Sequence, residues 1–337
     1  MSKEYSGYLK GIAIMMMLFL HLFNNLQNDL SLGYLLEIND TPFIFIITRM
    51  CNSVPFFLIL SGYGLYATYC KSGGINPLRR TKKLYYHLWL IYLFLLPLAS
   101  YIMPEQYPGT FSVFVKNATS WQCSYIGEQW FFLPYIILMG VSKWIFQLFD
   151  RMNWCWVLII SLAVYGFTLV VLKMFGEEML CRNILLYNPF LALYMLLPFT
   201  FGYLARRFEW IEWFGEKLPR KSFAAVALVF LCILRCCIPN AFIDPVYAIA
   251  FIMLFATLPV ANVTASVLSH LGKHSMNMWL IHTWFSARLF HAFFYENINN
   301  PILMYGLLVV VSLLLSYVVE ISYRQIGRII NRISTFF

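Results

Sequence analysis

Residues 8–21 read Tyr-Leu-Lys-Gly-Ile-Ala-Ile-Met-Met-Met-Leu-Phe-Leu-His. Apart from a cation near its start and an imidazole at its end, this stretch is almost wholly apolar, as expected of a helix in a lipid bilayer. Lys10 and His21 are 11 residues apart. At about 100° and about 1.5 Å per residue, they lie within about 20° of one helix face and about 16 Å apart along the axis. The first predicted span therefore carries a surface cation and a deep imidazole on one face.

The composition of the whole chain agrees with a membrane protein. Of its 337 residues, 61% are hydrophobic and 12% are charged, against about 45–50% apolar and about 25% charged in soluble proteins. This excludes a soluble enzyme, a coiled coil, a disordered chain and a disulfide-stapled secreted domain. The apolar runs are continuous rather than alternating, which argues against an outer-membrane β-barrel.

We therefore predict an all-α, polytopic integral membrane protein with about ten transmembrane helices, each of about 20 residues. The predicted spans are Ser6–Asn25, Phe43–Tyr69, Leu84–Met103, Gly127–Phe149, Cys155–Phe175, Ile184–Leu204, Phe223–Cys237, Pro245–Ala261, Ser275–Tyr295 and Ile302–Tyr323. They form a single transmembrane domain over residues 1–337, and we expect no appended soluble domain.

The basic residues predict the orientation. If the N-terminus is cytoplasmic, most of the 24 Lys and Arg residues fall in cytoplasmic segments, as the positive-inside rule requires. Both termini are then predicted to be cytoplasmic. The formal net charge of +9 follows from the same bias, so we expect no nucleic-acid partner.

The 8 cysteines show no metal-ligand spacing, and the His270/His274 pair lacks an acidic partner, so we predict no metal site. Cys123 and Cys181 both fall in predicted outer loops. Whether they form a disulfide bond is left open.

Ionisable side chains within spans cost about 2.5–3.5 kcal/mol each on insertion scales and are therefore functional candidates. The main ones are Lys10, His21, Arg49, Glu128, His282 and Arg288. A buried neutral imidazole at His21 suits a general base, and Glu128 could orient it. Arg49 and Arg288 are candidates to bind an acceptor or to pair with Glu128. Simpler explanations stay open: hydrogen bonds to neighbouring helices for the histidines, a purely structural ion pair for Glu128, and a snorkelling side chain for Lys10.

Four further motifs accompany Lys10-Gly-Ile-Ala…His21. They are Val54-Pro-Phe-Phe-Leu-Ile-Leu-Ser-Gly-Tyr63, Arg79-Arg-Thr-Lys-Lys-Leu-Tyr-Tyr86, Gly127-Glu-Gln-Trp-Phe-Phe-Leu133 and Gly272-Lys-His-Ser-Met-Asn-Met-Trp-Leu-Ile-His282. With these five motifs in order, the sequence resembles acyltransferase family 3, integral membrane enzymes that acylate cell-surface sugars. Lysine stands at position 10, and again within the run 79–83, where the family usually has arginine, which matters for bidentate phosphate contacts.

The resemblance implies an O-acetyltransferase that uses acyl-CoA, in the first instance acetyl-CoA, as a co-substrate and needs no tightly bound cofactor. It implies that His21 is the catalytic base, and we expect Glu128 to assist it. The expected substrate-binding residues are Lys10, Arg79, Arg80, Lys83, Ser61, Lys273, Ser275, His282, Arg288 and Arg49. Of these, the cytoplasmic cations suit the phosphates of coenzyme A, although the positive-inside bias explains any single one equally well.

The expected partners are acyl-CoA, a hydroxyl of a cell-envelope glycan or related acceptor, and the lipid bilayer. We expect a multi-pass protein of the bacterial plasma (inner) membrane. The acceptor, the acyl group, direct transfer against an acyl-enzyme, and a homo-oligomeric state are left open.

A transporter or exporter of a glycan or lipid-linked sugar is the alternative function. It predicts internal inverted repeats with interrupted helices at corresponding positions, and the sequence shows no such symmetry. A receptor or scaffold would leave the alignment of Lys10 with His21 unexplained.

Overall fold

The computed structural model describes residues 1–25, 36–182, 184–218 and 220–334, most of which are helical. The α-helices are α1 Lys3–Phe23, α2 Phe43–Thr48, α3 Val54–Ser72, α4 Pro77–Ile102, α5 Phe111–Ala118, α6 Phe132–Asp150, α7 Trp154–Arg182, α8 Ile184–Tyr194, α9 Leu196–Arg207, α10 Trp210–Lys217, α11 Lys221–Cys237, α12 Asp244–Phe255, α13 Asn262–Thr283, α14 His291–Glu296 and α15 Pro301–Ser334. Short 3₁₀ helices cover Arg49–Cys51, Gly127–Phe131 and Ala241–Ile243, and a π-helix covers Trp284–Leu289. Two short strands, β1 Glu37–Ile38 and β2 Thr41–Pro42, pair antiparallel.

Seven described helical segments are long and apolar enough to cross a membrane. They are Lys3–Phe23, Phe43–Ser72, Pro77–Ile102, Gly127–Asp150, Trp154–Phe175, Leu185–Arg207 and Pro301–Ile329. They correspond to the first six predicted spans and the tenth, so the all-α membrane fold is confirmed. The total of about ten and the cytoplasmic side of both termini stay predictions.

The three remaining predicted spans are helical but differ in form. Helix α11 has 17 residues, which is at the lower limit for a full crossing, and α12 has 12, which is fewer than a crossing requires. The segment expected to be one helix from Ser275 to Tyr295 is interrupted. The α-helix begins earlier, at Asn262, and ends at Thr283. The chain then continues as the π-helix and α14. The predicted outer loop before Gly127 also contains a helix, α5.

Many large apolar side chains on these helices are open to the surroundings. Leu93 is 64% exposed, Phe167 62% and Ile302 83%. A soluble protein would bury such side chains or use them as an interface. On helices of membrane-spanning length they are suited to contact lipid chains.

The chain forms two compact units. The first comprises Met1–Met16, Ile46–Pro77 and Phe131–Gly272. Its core includes Leu9, Phe56 and Ile252, each at most 1% exposed.

Two glycines allow α3 and α9 of the first unit to pack closely. A Cβ atom at Gly62 would collide with the carbonyl oxygen of Phe199, and one at Gly202 with that of Ile59. Small residues are the usual means by which helix backbones approach one another in membranes. The Ser61-Gly62 motif therefore has a packing role.

The second unit comprises Met17–Phe45, Leu78–Trp130 and Lys273–Phe337. It contains the end of α1, nearly all of α4, the 3₁₀ turn at Gly127, the end of α13 and all of α15. These elements carry most of the residues singled out in the sequence.

Candidate active site

The second unit brings together two histidines that lie far apart in the sequence. His21 is in the last turn of α1, and His282 is in the last turn of α13. His21 Nδ1 and His282 Nε2 are 2.7 Å apart, within hydrogen-bond distance. The rings are inclined by 13° with centroids 4.9 Å apart, so they meet edge to edge. His282 is fully buried and His21 is half-buried.

The backbone decides which nitrogen of each neutral ring carries the proton. His282 Nδ1 lies 2.8 Å from the carbonyl oxygen of Trp279 and 3.2 Å from that of Met278. Because a carbonyl oxygen only accepts, His282 Nδ1 carries the hydrogen and its Nε2 is the acceptor. His21 Nδ1–H therefore donates to His282, which leaves a lone pair on His21 Nε2. That is the form a general base requires.

Glu128 supplies the negative charge next to this pair. It lies on the 3₁₀ turn Gly127–Phe131. Its carboxylate interacts electrostatically with His21 and more weakly with His282, and it lies close to the hydroxyl of Thr283. A carboxylate in this position stabilises the positive charge that develops when His21 takes up a proton.

The neighbouring Gln129 fixes the turn that carries Glu128. Gln129 is fully buried. Its Nε2 donates to the carbonyl oxygen of Asn117 at 2.8 Å and to Ser120 Oγ at 2.7 Å, and its Oε1 accepts from the hydroxyl of Tyr92. With donors and acceptor satisfied, the amide is held in one orientation.

Asn117 braces the same loop from α5. Its Oδ1 accepts from the backbone N–H groups of Ser124 at 2.8 Å and Tyr125 at 2.9 Å. Its Nδ2 donates to Ser124 Oγ at 2.8 Å. The segment leading to Glu128 is therefore held by buried polar contacts rather than by regular secondary structure.

The π-helix that follows His282 lies against aromatic rings. Trp284 is fully buried, with its ring centroid 6.1 Å from Tyr92, 5.6 Å from Tyr107 and 6.3 Å from Tyr125. Arg288, on the same π-helix, is half-buried. Burial raises the pKa of the Tyr107 phenol, and the positive charge of Arg288 opposes that rise. π-Helical turns often occur at functional sites.

The predicted donor-binding cations divide between the units. Arg79, Arg80 and Lys83 are exposed on the first turns of α4 in the second unit, and Lys83 Nζ lies 5.9 Å from the centroid of the Tyr323 ring. Lys273 of the second unit is also exposed. Lys10 lies in the first unit and is half-buried. Helix α1 is unbroken from Lys10 to His21, so the predicted helical spacing applies.

The remaining predicted substrate-binding residues have structural contacts. In the first unit, Arg49 Nη1 donates to the Cys236 carbonyl oxygen at 2.9 Å, and the hydroxyls of Ser61 and Tyr135 are 2.9 Å apart. Ser275, in the second unit, is buried. Arg49 and Glu128 belong to different units, so their pairing stays a prediction.

A buried ion pair does occur in the first unit, between other residues. Arg235 Nη2 lies 2.6 Å from Asp244 Oδ1, with side chains 4% and 2% exposed. Asn52 Nδ2 donates to Asp244 Oδ2 at 2.6 Å. This network ties α11 to α12 and to the segment preceding α3. It is a structural pair of the kind expected for buried charge.

The last sequence predictions concern a metal site and a disulfide bond. In the described part of the chain, no group of three or more His, Cys, Asp or Glu side chains is placed to hold a metal ion. His274 Nδ1 is 2.8 Å from Ser316 Oγ. The side chain of Cys181 lies outside the described residues, so its pairing with Cys123 is not addressed.

Several polar residues that shape this site had no role predicted from the sequence. Gln129 and Asn117 brace Glu128, and Asn277 accepts a hydrogen bond from His87, as described below. Gln129 and Asn277 lie inside the family motifs. The feature that could have singled them out is a polar amide side chain within an otherwise apolar or catalytic segment. Asn117 lies in a segment that the sequence predicted to be an outer loop and that forms helix α5, and nothing in the sequence singled it out.

These contacts define the class of protein: a polytopic helical membrane protein whose second unit holds a histidine pair and a carboxylate suited to proton transfer. A family model described as an acyltransferase domain, that of acyltransferase family 3, matches residues 4–321. The match covers nearly the whole chain, so the chain belongs to this family of membrane acyltransferases, and the resemblance drawn from the five motifs is confirmed. Neither a curated protein nor a solved structure gives a significant match.

Proposed function

We propose that this protein is an O-acyltransferase that moves an acyl group, in the first instance acetyl, from cytoplasmic acyl-CoA to a hydroxyl of a cell-envelope glycan or related acceptor. Membership of the acyltransferase family supports the reaction type. The observation that carries the assignment is the hydrogen bond from His21 to His282, which leaves a basic nitrogen on His21 beside Glu128.

The proposed transfer is a direct displacement. His21 Nε2 takes the proton of the acceptor hydroxyl while the oxygen attacks the thioester carbonyl. The tetrahedral intermediate collapses, the carbon–sulfur bond breaks, and the coenzyme A thiolate takes the proton back from His21. Glu128 stabilises the transient imidazolium, and His282 is a positioning residue that fixes the His21 tautomer.

The binding residues follow from charge and position. The proposed donor site lies in the second unit and includes Arg79, Arg80, Lys83 and Lys273, because ammonium and guanidinium groups pair with the phosphates of coenzyme A. A donor-binding role for Lys10, in the first unit, rests on its motif alone. The proposed acceptor side includes Arg288, on the π-helix that follows His282. Ser275, in the second unit, is proposed as a supporting residue because it lies in a family motif. For Arg49 and Ser61, in the first unit, a substrate-binding role rests on the sequence alone. The proposed location is the bacterial plasma membrane.

An acetyl-transfer assay tests the proposal. Membranes containing the wild type are incubated with radiolabelled acetyl-CoA and an envelope glycan extract. The wild type should label the extract. His21→Ala should lower the rate by about 10²–10⁴, the usual contribution of general base catalysis. His291 is an exposed histidine outside the proposed site. His291→Ala is therefore the control and should retain the wild-type rate.

Three outcomes distinguish the candidate functions. Loss of labelling in His21→Ala, with normal expression and normal His291→Ala activity, supports the proposal. Full activity in well-expressed His21→Ala refutes the catalytic assignment. Movement of unmodified glycan across vesicles, without acetyl transfer from acetyl-CoA, would indicate an exporter.

A further inference from the structure

Another imidazole of the second unit, that of His87, is buried and has an unused acceptor. His87, on α4, is 2% exposed. Its Nδ1 lies 2.9 Å from Asn277 Oδ1. Asn277 Nδ2 points to the Ser316 carbonyl oxygen at 3.4 Å, which sets the orientation of the amide. An amide oxygen accepts, so His87 Nδ1 carries the hydrogen and His87 Nε2 holds a lone pair.

That lone pair is buried without a donor. Among the described residues, no group hydrogen-bonds His87 Nε2. The ring of Tyr323 lies beside His87, with centroids 4.5 Å apart, and the nearby charges are those of Lys83 and Glu320. Buried polar atoms in native proteins almost always have a partner, so an orphaned acceptor indicates a donor supplied from outside the chain.

The place of His87 indicates which molecule supplies it. Arg79, Lys83 and His87 follow one another at four-residue intervals on α4, so they lie along one helix face at steps of about 6 Å. On α13, Asn277 lies four residues after the cation Lys273. Five residues further, about 7.5 Å along the helix, is His282. The hydrogen bond between His87 and Asn277 therefore lies between the proposed phosphate-binding cations and the reacting histidines.

Coenzyme A has suitable groups at that position along its length. Between its phosphates and its sulfur, the pantetheine arm carries two secondary amides, each with an N–H donor. Resting on the proposed use of acyl-CoA, we propose that His87 Nε2 accepts a hydrogen bond from one of these amide N–H groups. Asn277 is then the positioning residue that keeps the lone pair of His87 on Nε2.

Donor analogues test this contact directly. Two acetyl-CoA analogues are prepared, each with one pantetheine amide replaced by an ester, which removes one N–H and keeps the chain length. In the wild type, kcat/KM should fall about 5- to 30-fold for one of the two, as expected for loss of a hydrogen bond to a buried group. In His87→Leu, acetyl-CoA and that analogue should differ by less than about twofold, because the acceptor is gone. His87→Gln, which retains an acceptor, should recover part of the discrimination, and His291→Leu should discriminate as the wild type does.

The outcomes separate this inference from the proposed function. If the wild type transfers acetyl from acetyl-CoA and uses both ester analogues as well as it uses acetyl-CoA, the role of His87 is refuted and the function stands. Equal discrimination by His87→Leu and the wild type also refutes it. No transfer from acetyl-CoA by the wild type refutes both. If His87→Leu does not fold, the wild-type analogue series and His87→Gln still decide the question.

Discussion

Removing the acceptor at His282 tests the most specific feature of the site. In the structure, His282 Nε2 accepts from His21 Nδ1–H at 2.7 Å, and a backbone carbonyl at 2.8 Å holds His282 in the tautomer that can accept. His282→Leu removes the acceptor and keeps an apolar side chain of comparable size. The proton on His21 is then free to move to Nε2, the nitrogen that must be basic.

The magnitude follows from the hydrogen bond that is lost. As His21 becomes an imidazolium in the transition state, its bond to His282 becomes charge-assisted, and such bonds contribute about 1.5–3 kcal/mol. At 1.4 kcal/mol per factor of ten, kcat should fall by roughly 10- to 150-fold. KM for acetyl-CoA should change little, because in this mechanism His282 does not touch the donor.

The assay is steady-state acetyl transfer by the protein in lipid nanodiscs, with thermal stability measured in parallel. His282→Gln is the matched variant, because its side-chain oxygen can accept from His21 Nδ1–H and should restore part of kcat. Wild-type kcat in His282→Leu would refute the positioning role. If kcat falls equally in His282→Leu and His282→Gln and thermal stability falls with it, His282 serves in packing and not in positioning His21.

Three further predictions concern other parts of the molecule. Glu128→Gln keeps the shape of the side chain and removes its charge beside His21, so kcat in the same assay should fall by about 10-fold or more; an unchanged kcat would contradict the electrostatic role. Gly62→Ala places a methyl group against backbone, whereas a Cβ at Gly64 has open space, so Gly62→Ala should cost about 1–3 kcal/mol of stability and Gly64→Ala should be close to neutral in thermal unfolding. The double variant Arg79→Gln/Lys83→Gln should raise KM for acetyl-CoA while expression stays close to the wild-type level. An unchanged KM would indicate that these cations serve only in membrane orientation.

Individual residues show how far the sequence could predict the site. His21 and Glu128 were singled out because an ionisable group in an apolar span is costly and needs a reason. His282 was predicted either to line the site or to bond a neighbouring helix, and the structure shows the bond to His21. Arg49 was expected to bind acceptor or pair with Glu128. In the structure, half-buried Arg49 donates to the Cys236 carbonyl oxygen, so the backbone satisfies part of its charge, and its role in the reaction stays a prediction.

The roles of Gln129, Asn117 and His87 could not be predicted. Each depends on which polar atom a distant segment presents: Asn117 is 12 residues from Gln129, and Asn277 is 190 residues from His87. A hydrogen bond also requires distances correct to a fraction of an ångström, and helical periodicity gives only the face of a helix.

By itself, the sequence determined that the chain is a helical membrane protein, where most of its spans lie, which family it belongs to and which ionisable groups needed an explanation. These properties follow from transfer free energy and helix geometry, which act on each segment separately. The tertiary structure alone decided that His21 donates to His282 and that Gln129 holds the turn bearing Glu128. It also decided that α3 and α9 meet at glycines. Buried polar atoms must find partners and backbones must pack without collision, and only the arrangement of several helices at once satisfies both conditions.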